Sequence, residues 1–202
     1  MKLVIVSDTH GRHEELGILE GDVLIHCGDI CSHYDVDESE LVDQWFAKQR
    51  FSKILFVGGN HDQLLQQRAD RGVPVFKHAE YLQDSVFTYQ GVRFYGAAWV
   101  SDLPDFDDVA LAMKWQQIPV DTDILITHIP PRNVFDSLRS GRHVGCPGLK
   151  KLIGEICPKI HCFGHVHHLR GHVKQNRTYF VNASVYSQEK LNRPIVINLN
   201  LN

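Results

Sequence analysis

Three histidines fall within four positions in the segment FGHVHH, residues 163 to 168. Imidazole is the commonest metal ligand and a frequent general acid or base. A metal site would need partners elsewhere, and four other short segments supply them. Asp8 and His10 lie in SDTHG, Asp29 in GDICSHYD, Asn60, His61 and Asp62 in GNHD, and His128 in THIPPR. With His165 and His167 they make a set of two carboxylates, one amide and several imidazoles. Mixed nitrogen and oxygen donors without thiolate suit Zn, Mn or Fe. Each residue alone is also of the kind that turns a chain after a strand; their joint recurrence carries the reading.

Spacing adds to type. Asp8 and His10 are two apart, as are His165 and His167. In an extended segment such side chains point the same way, so each pair is expected to face one centre and His168 to point away. Seven ligands, Asp8, His10, Asp29, Asn60, His128, His165 and His167, over-supply one ion and suit two that share one ligand. A carboxylate bridges best, having about four lone-pair sites. Two divalent ions against two carboxylates leave a net positive well for an anionic phosphate. Paired ions also activate water and clamp both oxygens of an in-line displacement. That is phosphoester hydrolysis.

The elements that must position these residues are legible. KLVIV, DVLIHC, KILFVG, DILIT and KIHCF are short aliphatic runs, each ending abruptly in one of the polar tips. Such runs read as buried strands, and ligands gather beyond the carboxyl ends of strands in α/β sheets. DESELVDQWFAKQR reads as a helix with Leu41, Trp45 and Phe46 inward. GCPGLKKLIGEIC reads as another, with Leu149, Leu152, Ile153 and Ile156 inward, and DVALAMKWQQ as a third, with Leu111 and Trp115 inward. Hairpins are expected at Gln90-Gly91 and at Gln175-Asn176-Arg177, and a last strand in RPIVINLNL. The expectation is an α/β protein with mixed, packed sheets, a single domain over 1–202.

Composition narrows the function classes. The net charge of −3 comes without a block of one sign, which argues against a nucleic-acid or membrane surface. The first apolar run is too short for a signal segment. Five cysteines, an odd number, without such a signal fit reduced thiols and a cytoplasmic location. Cys27 and Cys31 flank Asp29 but form only a weak C-x-x-x-C spacing, and Cys146, Cys157 and Cys162 read as buried apolar residues. In the loop after His128, Arg132, Arg139, Arg142 and His143 are candidates for a phosphate contact. Arg12 and His13 are candidates for substrate contact or for a solvated helix start. Trp99 and Phe106 are read as core or as a wall of the substrate cleft, and Asn182 as a support for the ligands or a strand-end turn.

The ordered set DTH, GD, GNHD, TH and GHVH resembles the calcineurin-like metallophosphoesterase superfamily, from position 8 to 167. The resemblance implies a four-layer αββα sandwich. It implies Asp8, His10, Asp29 and His167 on one metal, and Asp29, Asn60, His128 and His165 on the other. It places His61 beside the phosphate as general acid or charge stabiliser, with Asp62 orienting it by a hydrogen bond. Asn60, His61, Arg132 and His143 are the expected substrate contacts. THIPPRNVFD, VGCPGLKKLI and YFVNAS are similar to the small metallophosphoesterase-domain-containing proteins and the single-domain cyclic-nucleotide phosphodiesterases. The phosphoprotein phosphatases carry an Arg after the bridging Asp and a Glu after GNH; this chain has neither. The expected activity is hydrolysis of a phosphodiester, cyclic nucleotides included, by a metal-bridging hydroxide. The rivals are a nuclease on DNA or RNA ends, a phosphomonoesterase and a non-catalytic scaffold. The expected partner is a small phosphoester, a nucleotide among the candidates, with neither membrane nor stable nucleic-acid binding.

Overall fold

A computed structural model describes residues 1–33, 37–98 and 108–200. Eleven strands and four α-helices are found among them. The first sheet contains β1 (Lys2–Val6), β2 (Glu20–His26), β3 (Arg50–Phe56), β4 (Glu80–Tyr81) and β11 (Ile195–Asn198), in the order β11-β1-β2-β3-β4. The second contains β5 (Ser85–Tyr89), β6 (Val92–Ala97), β7 (Ile124–Thr127), β8 (Ile160–Phe163), β9 (Gly171–Gln175) and β10 (Thr178–Asn182), in the order β5-β6-β7-β8-β10-β9. β1 to β4 run parallel, as do β6, β7, β8 and β10, while β11, β5 and β9 are antiparallel edge strands.

The expected four layers are present. Alternation along each strand divides its residues between two faces. Leu3, Ile5, Val23, Ile25 and Leu55 from the first sheet meet Phe94, Ile124, Ile126, Ile160 and Cys162 from the second. The opposite faces are covered by helices. Val4, Val6, Leu24 and Phe56 pack beneath α1 (Ser39–Lys48) and α2 (Gln63–Asp70), which contribute Trp45, Phe46 and Leu65. Tyr95, Leu125, Phe163 and Phe180 pack beneath α3 (Asp108–Trp115) and α4 (Pro147–Ile156), which contribute Leu111, Trp115, Leu149 and Ile153. Both faces being covered explains why the parallel strands read as continuous apolar runs.

Two expectations need correction, and a third residue does more than expected. Leu41 is 62% exposed, and Val42 takes its place against the core with Trp45 and Phe46. Val42, Trp45 and Phe46 are spaced by three and four residues, the period of one helical face; Leu41 lies one position off it. Cys157 is half-buried and free. It ends α4 in a left-handed conformation, φ 48°, at a position usually given to glycine. Cys146, read as core filler, also caps α4: its Sγ accepts hydrogen bonds from the Leu149 amide and the Trp115 indole. Trp99 and Phe106 lie outside the described residues. Among the described residues no helix is long and apolar enough to cross a membrane.

The packing of α1 predicts opposite outcomes at neighbouring positions. Trp45→Ala should lower unfolding stability by about 3–5 kcal/mol, and Leu41→Ala by about 0.5 kcal/mol or less. Urea denaturation of the two variants measures both, and equal losses would contradict the assigned face.

Candidate metal centre

The two sheets bring the carboxyl ends of β1, β2, β3, β7 and β8 to one edge, where every polar tip begins. The tips are laced together by backbone. The Asp8 and His10 amides donate to the carbonyls of Gly28 and Asp29, at 2.9 and 3.0 Å. The Gly164 amide donates to the His128 carbonyl at 2.9 Å. A link also crosses between sheets, from the His165 amide to the Asp8 carboxylate at 3.1 Å. Ser7 and Ser184 pair where β1 and β10 end, closing the seam behind the site.

Two sets of ligand atoms result. In one, Asn60 Oδ1 lies 3.0 Å from His128 Nε2 and 3.1 Å from His165 Nδ1, and those nitrogens are 3.3 Å apart. In the other, His167 Nε2 lies 3.3 Å from His10 Nε2 and 3.4 Å from Asp8 Oδ1. Asp29 Oδ2 stands between them, 3.4 Å from His128 Nε2 and 3.8 Å from His10 Nε2. Tetrahedral ligands at ordinary zinc–nitrogen lengths lie about 3.3–3.4 Å apart, so both sets have the spacing of donors around one ion. His61 joins His10 and Asp29 in a further group with ligand atoms within 4.8 Å of one another. Its ring centroid is 4.5 Å from that of His10, edge to face.

The surrounding bonds aim the donors. His128 Nδ1 donates to the Cys27 carbonyl at 2.8 Å, leaving Nε2 to face the cluster. A backbone carbonyl on the far nitrogen is the usual way a ligating imidazole is oriented. The His61 amide donates to Asp29 Oδ1 at 2.8 Å, which leaves Oδ2 facing the two sets. His26, fully buried, joins two ligand loops: it accepts from the Gly28 amide on Nδ1 at 3.3 Å and donates from Nε2 to the Thr9 hydroxyl at 3.1 Å. Asn182 supports a third: its amide donates to the Val166 carbonyl, between His165 and His167, at 2.9 Å.

The convergence does not arise from extended pairs. Asp8, His10, Asp29 and His165 all have positive φ, between 45° and 69°, and His167 begins a 3-10 turn that also holds His168. Left-handed backbone costs roughly 1–2 kcal/mol per non-glycine residue, and Asp, Asn and His tolerate it best. Strain at a site is kept only where the surroundings impose it. Two glycines permit the crowding. A side chain at Gly59 would overlap the Asp29 carboxylate, and one at Gly164 the Asp8 carboxylate.

Asp62 has a different task from the one expected. Its bonds run to backbone instead of to His61, accepting from the amides of Asp29, Cys31 and Gly59 at 2.7, 3.0 and 2.8 Å and from Ile30 at 3.1 Å. Burial and the nearby Asp29 charge push it up to about 6. Burial acts against charge on His128 as well, but Asp29, Asp8 and the Cys27 carbonyl more than offset it, raising that imidazole to about 10. Burial would raise Asp29 too, yet His128 and the His61 amide hold it below the usual carboxylate range. The donor set therefore binds positive charge strongly.

The remaining candidates are placed as follows. Arg132 donates to the His143 carbonyl at 3.3 Å, and His143 Nδ1 bonds the buried Asp136 carboxylate at 2.7 Å. Both fasten the loop between β7 and α4. Arg12 pairs with Glu15 and donates to the carbonyls of Ser187 and Glu189, while His13 is buried beside Trp45. Cys27 and Cys31 are buried free thiols, Cys27 in the core between the sheets. A cleft of about 800 Å³ opens beside the cluster, walled in part by Leu138, Arg139, Arg170 and Tyr186. The Tyr186 ring lies 4.5 Å from His167 and 5.3 Å from His10. Sequence reasoning passed over Tyr186, which sits two residues past the YFVNAS motif in a stretch without periodicity.

The family model of the calcineurin-like phosphoesterases matches residues 1–169. The chain belongs to that family. Human metallophosphoesterase domain-containing protein 1 is 31% identical over 98% of this chain and 71% of its own length. A Caenorhabditis elegans protein named as UPF0046 is 33% identical over 97% of this chain and 74% of its own. Among solved structures, TT1561 of Thermus thermophilus has the same fold, with a TM-score of 0.58 at 14% identity over 91% of this chain and 88% of that one. GAP50, the anchor in the inner membrane complex of Plasmodium, shares it with a TM-score of 0.60 at 12% identity over 96% and 75%. Family membership makes phosphoester hydrolysis with divalent metals the general chemistry, and the clustered donors fit such ions.

Two measurements bear on the centre. His26→Ala should weaken metal binding about 10–100-fold, as loss of an orienting partner typically does; an unchanged metal Kd from calorimetry would contradict that role. His128, raised to about 10, is an imidazolium at pH 7, and ions bind the neutral ring. Metal entry should therefore release about one proton at this residue, and affinity should rise with pH up to about 10. Calorimetry in two buffers of different ionisation enthalpy reads the proton count.

Proposed function

We propose that this chain is a two-metal phosphodiesterase acting on small substrates. The observation that carries the reading is Asp29 Oδ2, within 3.8 Å of a donor in each of the two ligand sets. Asp8, His10, Asp29 and His167 would hold one ion, and Asn60, His128, His165 and the same Asp29 the other. Divalent ions bound there would neutralise charge on the phosphate and lower the pKa of water.

The chain's own residues supply position and a proton. The His61 amide is tied to Asp29 Oδ1 and its ring abuts His10, so it shares one frame with the ligands. From there His61 would protonate the leaving oxygen, a role that contributes roughly 10²–10⁴-fold. Asp62 acts at one remove, by fixing the backbone of residues 29–31 and 59. Asn60, next to His61, would serve both ion and phosphate. The preference for a diester rests on the likeness to the small metallophosphoesterase-domain-containing proteins. The net charge of −3 weighs against a nuclease, because phosphate backbones are held by several Lys or Arg.

Reconstitution with Mn, Zn or Fe, followed by a screen of aryl mono- and diesters, cyclic nucleotides and short oligonucleotides, tests the reading. Diesters should be turned over faster than monoesters. Asp29→Ala should hold fewer than two ions per chain and lose activity. His61→Ala should keep its ions and lose about 10²–10⁴-fold on esters with poor leaving groups. Two ions retained in Asp29→Ala, or full rate in His61→Ala, would remove the respective assignment.

A further inference from the structure

Three described segments wall the cleft beside the ligand cluster, each fastened separately. One is a tight turn at residues 138–142, where the Leu138 amide donates to the Arg142 carbonyl at 2.7 Å. The buried Asp136 anchors its base, accepting from His143 Nδ1 and from the Gly145 amide. The second wall, Tyr186 to Glu189, is held by Arg12 through the carbonyls of Ser187 and Glu189, at 2.6 and 3.0 Å. The third runs from His165 to Arg170, whose Nη2 donates to the Arg193 carbonyl at 2.7 Å. A cleft of about 800 Å³ is within the range of small-ligand sites, roughly 300–1,000 Å³.

Its charges are arranged for an anion. Arg139 stands at the tip of the turn and has no hydrogen bond or ion pair among the described residues. Arg170 is half-buried, its Nε is withdrawn from water without a partner, and only Nη2 is engaged. Burial lowers the Arg170 pKa, the mark of a cation set where an anion would be welcome. Among the described residues lining the cleft, Glu189 is the one carboxylate. Tyr186 lines the same cleft as these arginines, its ring packed on His167 and His10.

We propose that this cleft is a subsite for a second phosphate of the substrate, bound by Arg139 and Arg170, with Tyr186 as the wall separating it from the scissile phosphate. Each guanidinium can donate two parallel bonds to phosphate oxygens, and a terminal phosphate has three oxygens to offer. The substrate class is then a phosphodiester that carries a further phosphate monoester, as a nucleotide bisphosphate derivative does. The inference rests on the phosphodiesterase reading and goes past it.

The test uses the full chain loaded with manganese and two substrates that differ only in the extra group: thymidine 5′-(4-nitrophenyl phosphate) with and without a 3′-phosphate. In the wild type kcat/KM should be about tenfold or more higher for the 3′-phosphorylated ester, as expected for bonds between charged groups. Arg139→Gln with Arg170→Gln should abolish that ratio, whereas Lys174→Gln on β9, a control for net charge, should preserve it. Calorimetry provides a readout without turnover. Thymidine 3′,5′-bisphosphate should bind about tenfold or more tighter than the 5′-monophosphate, and the double variant should lose the difference. Equal binding of the two nucleotides overturns the subsite, whatever the activity. Hydrolysis of neither ester, with the binding difference intact, would remove the phosphodiesterase reading and keep the subsite.

Discussion

A fully buried carboxylate bonded to backbone amides holds the centre together. Asp62 gathers amides from residues 29, 30, 31 and 59 around its two oxygens. Bonds of this kind, to a charged acceptor, are worth roughly 1.5–3 kcal/mol each. They force the chain after β2 and the chain after β3 to curl around one point. Asp29 enters the left-handed region there, and its Oδ2 reaches both ligand sets. Without that pinning, the Asp29 backbone would relax toward β or α conformations and the shared oxygen would swing away. The rest of the site is built on this pair of loops.

The ligand cluster holds more negative and basic atoms than water alone would leave in contact. The imidazolium at His128 and the lowered acidity range of Asp29 both express the same demand for positive charge. Divalent ions meet it better than protons, because one ion can serve several donors at once. The surrounding protein removes the competing conformations in advance. Carbonyls, amides and the buried His26 each fix one donor, so little reorganisation remains when charge arrives.

Much of this was legible in the chain. Five apolar runs ending in polar tips marked β1, β2, β3, β7 and β8, because strands covered on both faces have no alternation to hide them. The residues that converge were named from their types. How they converge was not readable. Asp8 with His10 and His165 with His167 meet through positive φ and a 3-10 turn, and such backbone states leave no pattern in side-chain spacing. Asp62 looked like a partner for His61, but its bonds are to peptide groups that sequence does not display. β4 is two residues long, too short for any period. Leu41 is apolar yet exposed, and only the phase of α1 against its sheet decides such a case. Tyr186 and Arg170 lie in segments ordered by carbonyl contacts, which any sequence could supply.

The two sheets contribute unequally and jointly to the cluster. Asp8, His10, Asp29 and Asn60 come from the first, and His128, His165 and His167 from the second. A cation seated among them is a rivet through both halves of the sandwich. Any fluctuation that parts the sheets at this edge must also eject it, so cation uptake and cooperative unfolding become one linked equilibrium. At a free ion concentration a thousand times the Kd, the linkage is worth about 4 kcal/mol, comparable to a large fraction of a domain's net stability. The supply of free cation would then set the lifetime of the fold.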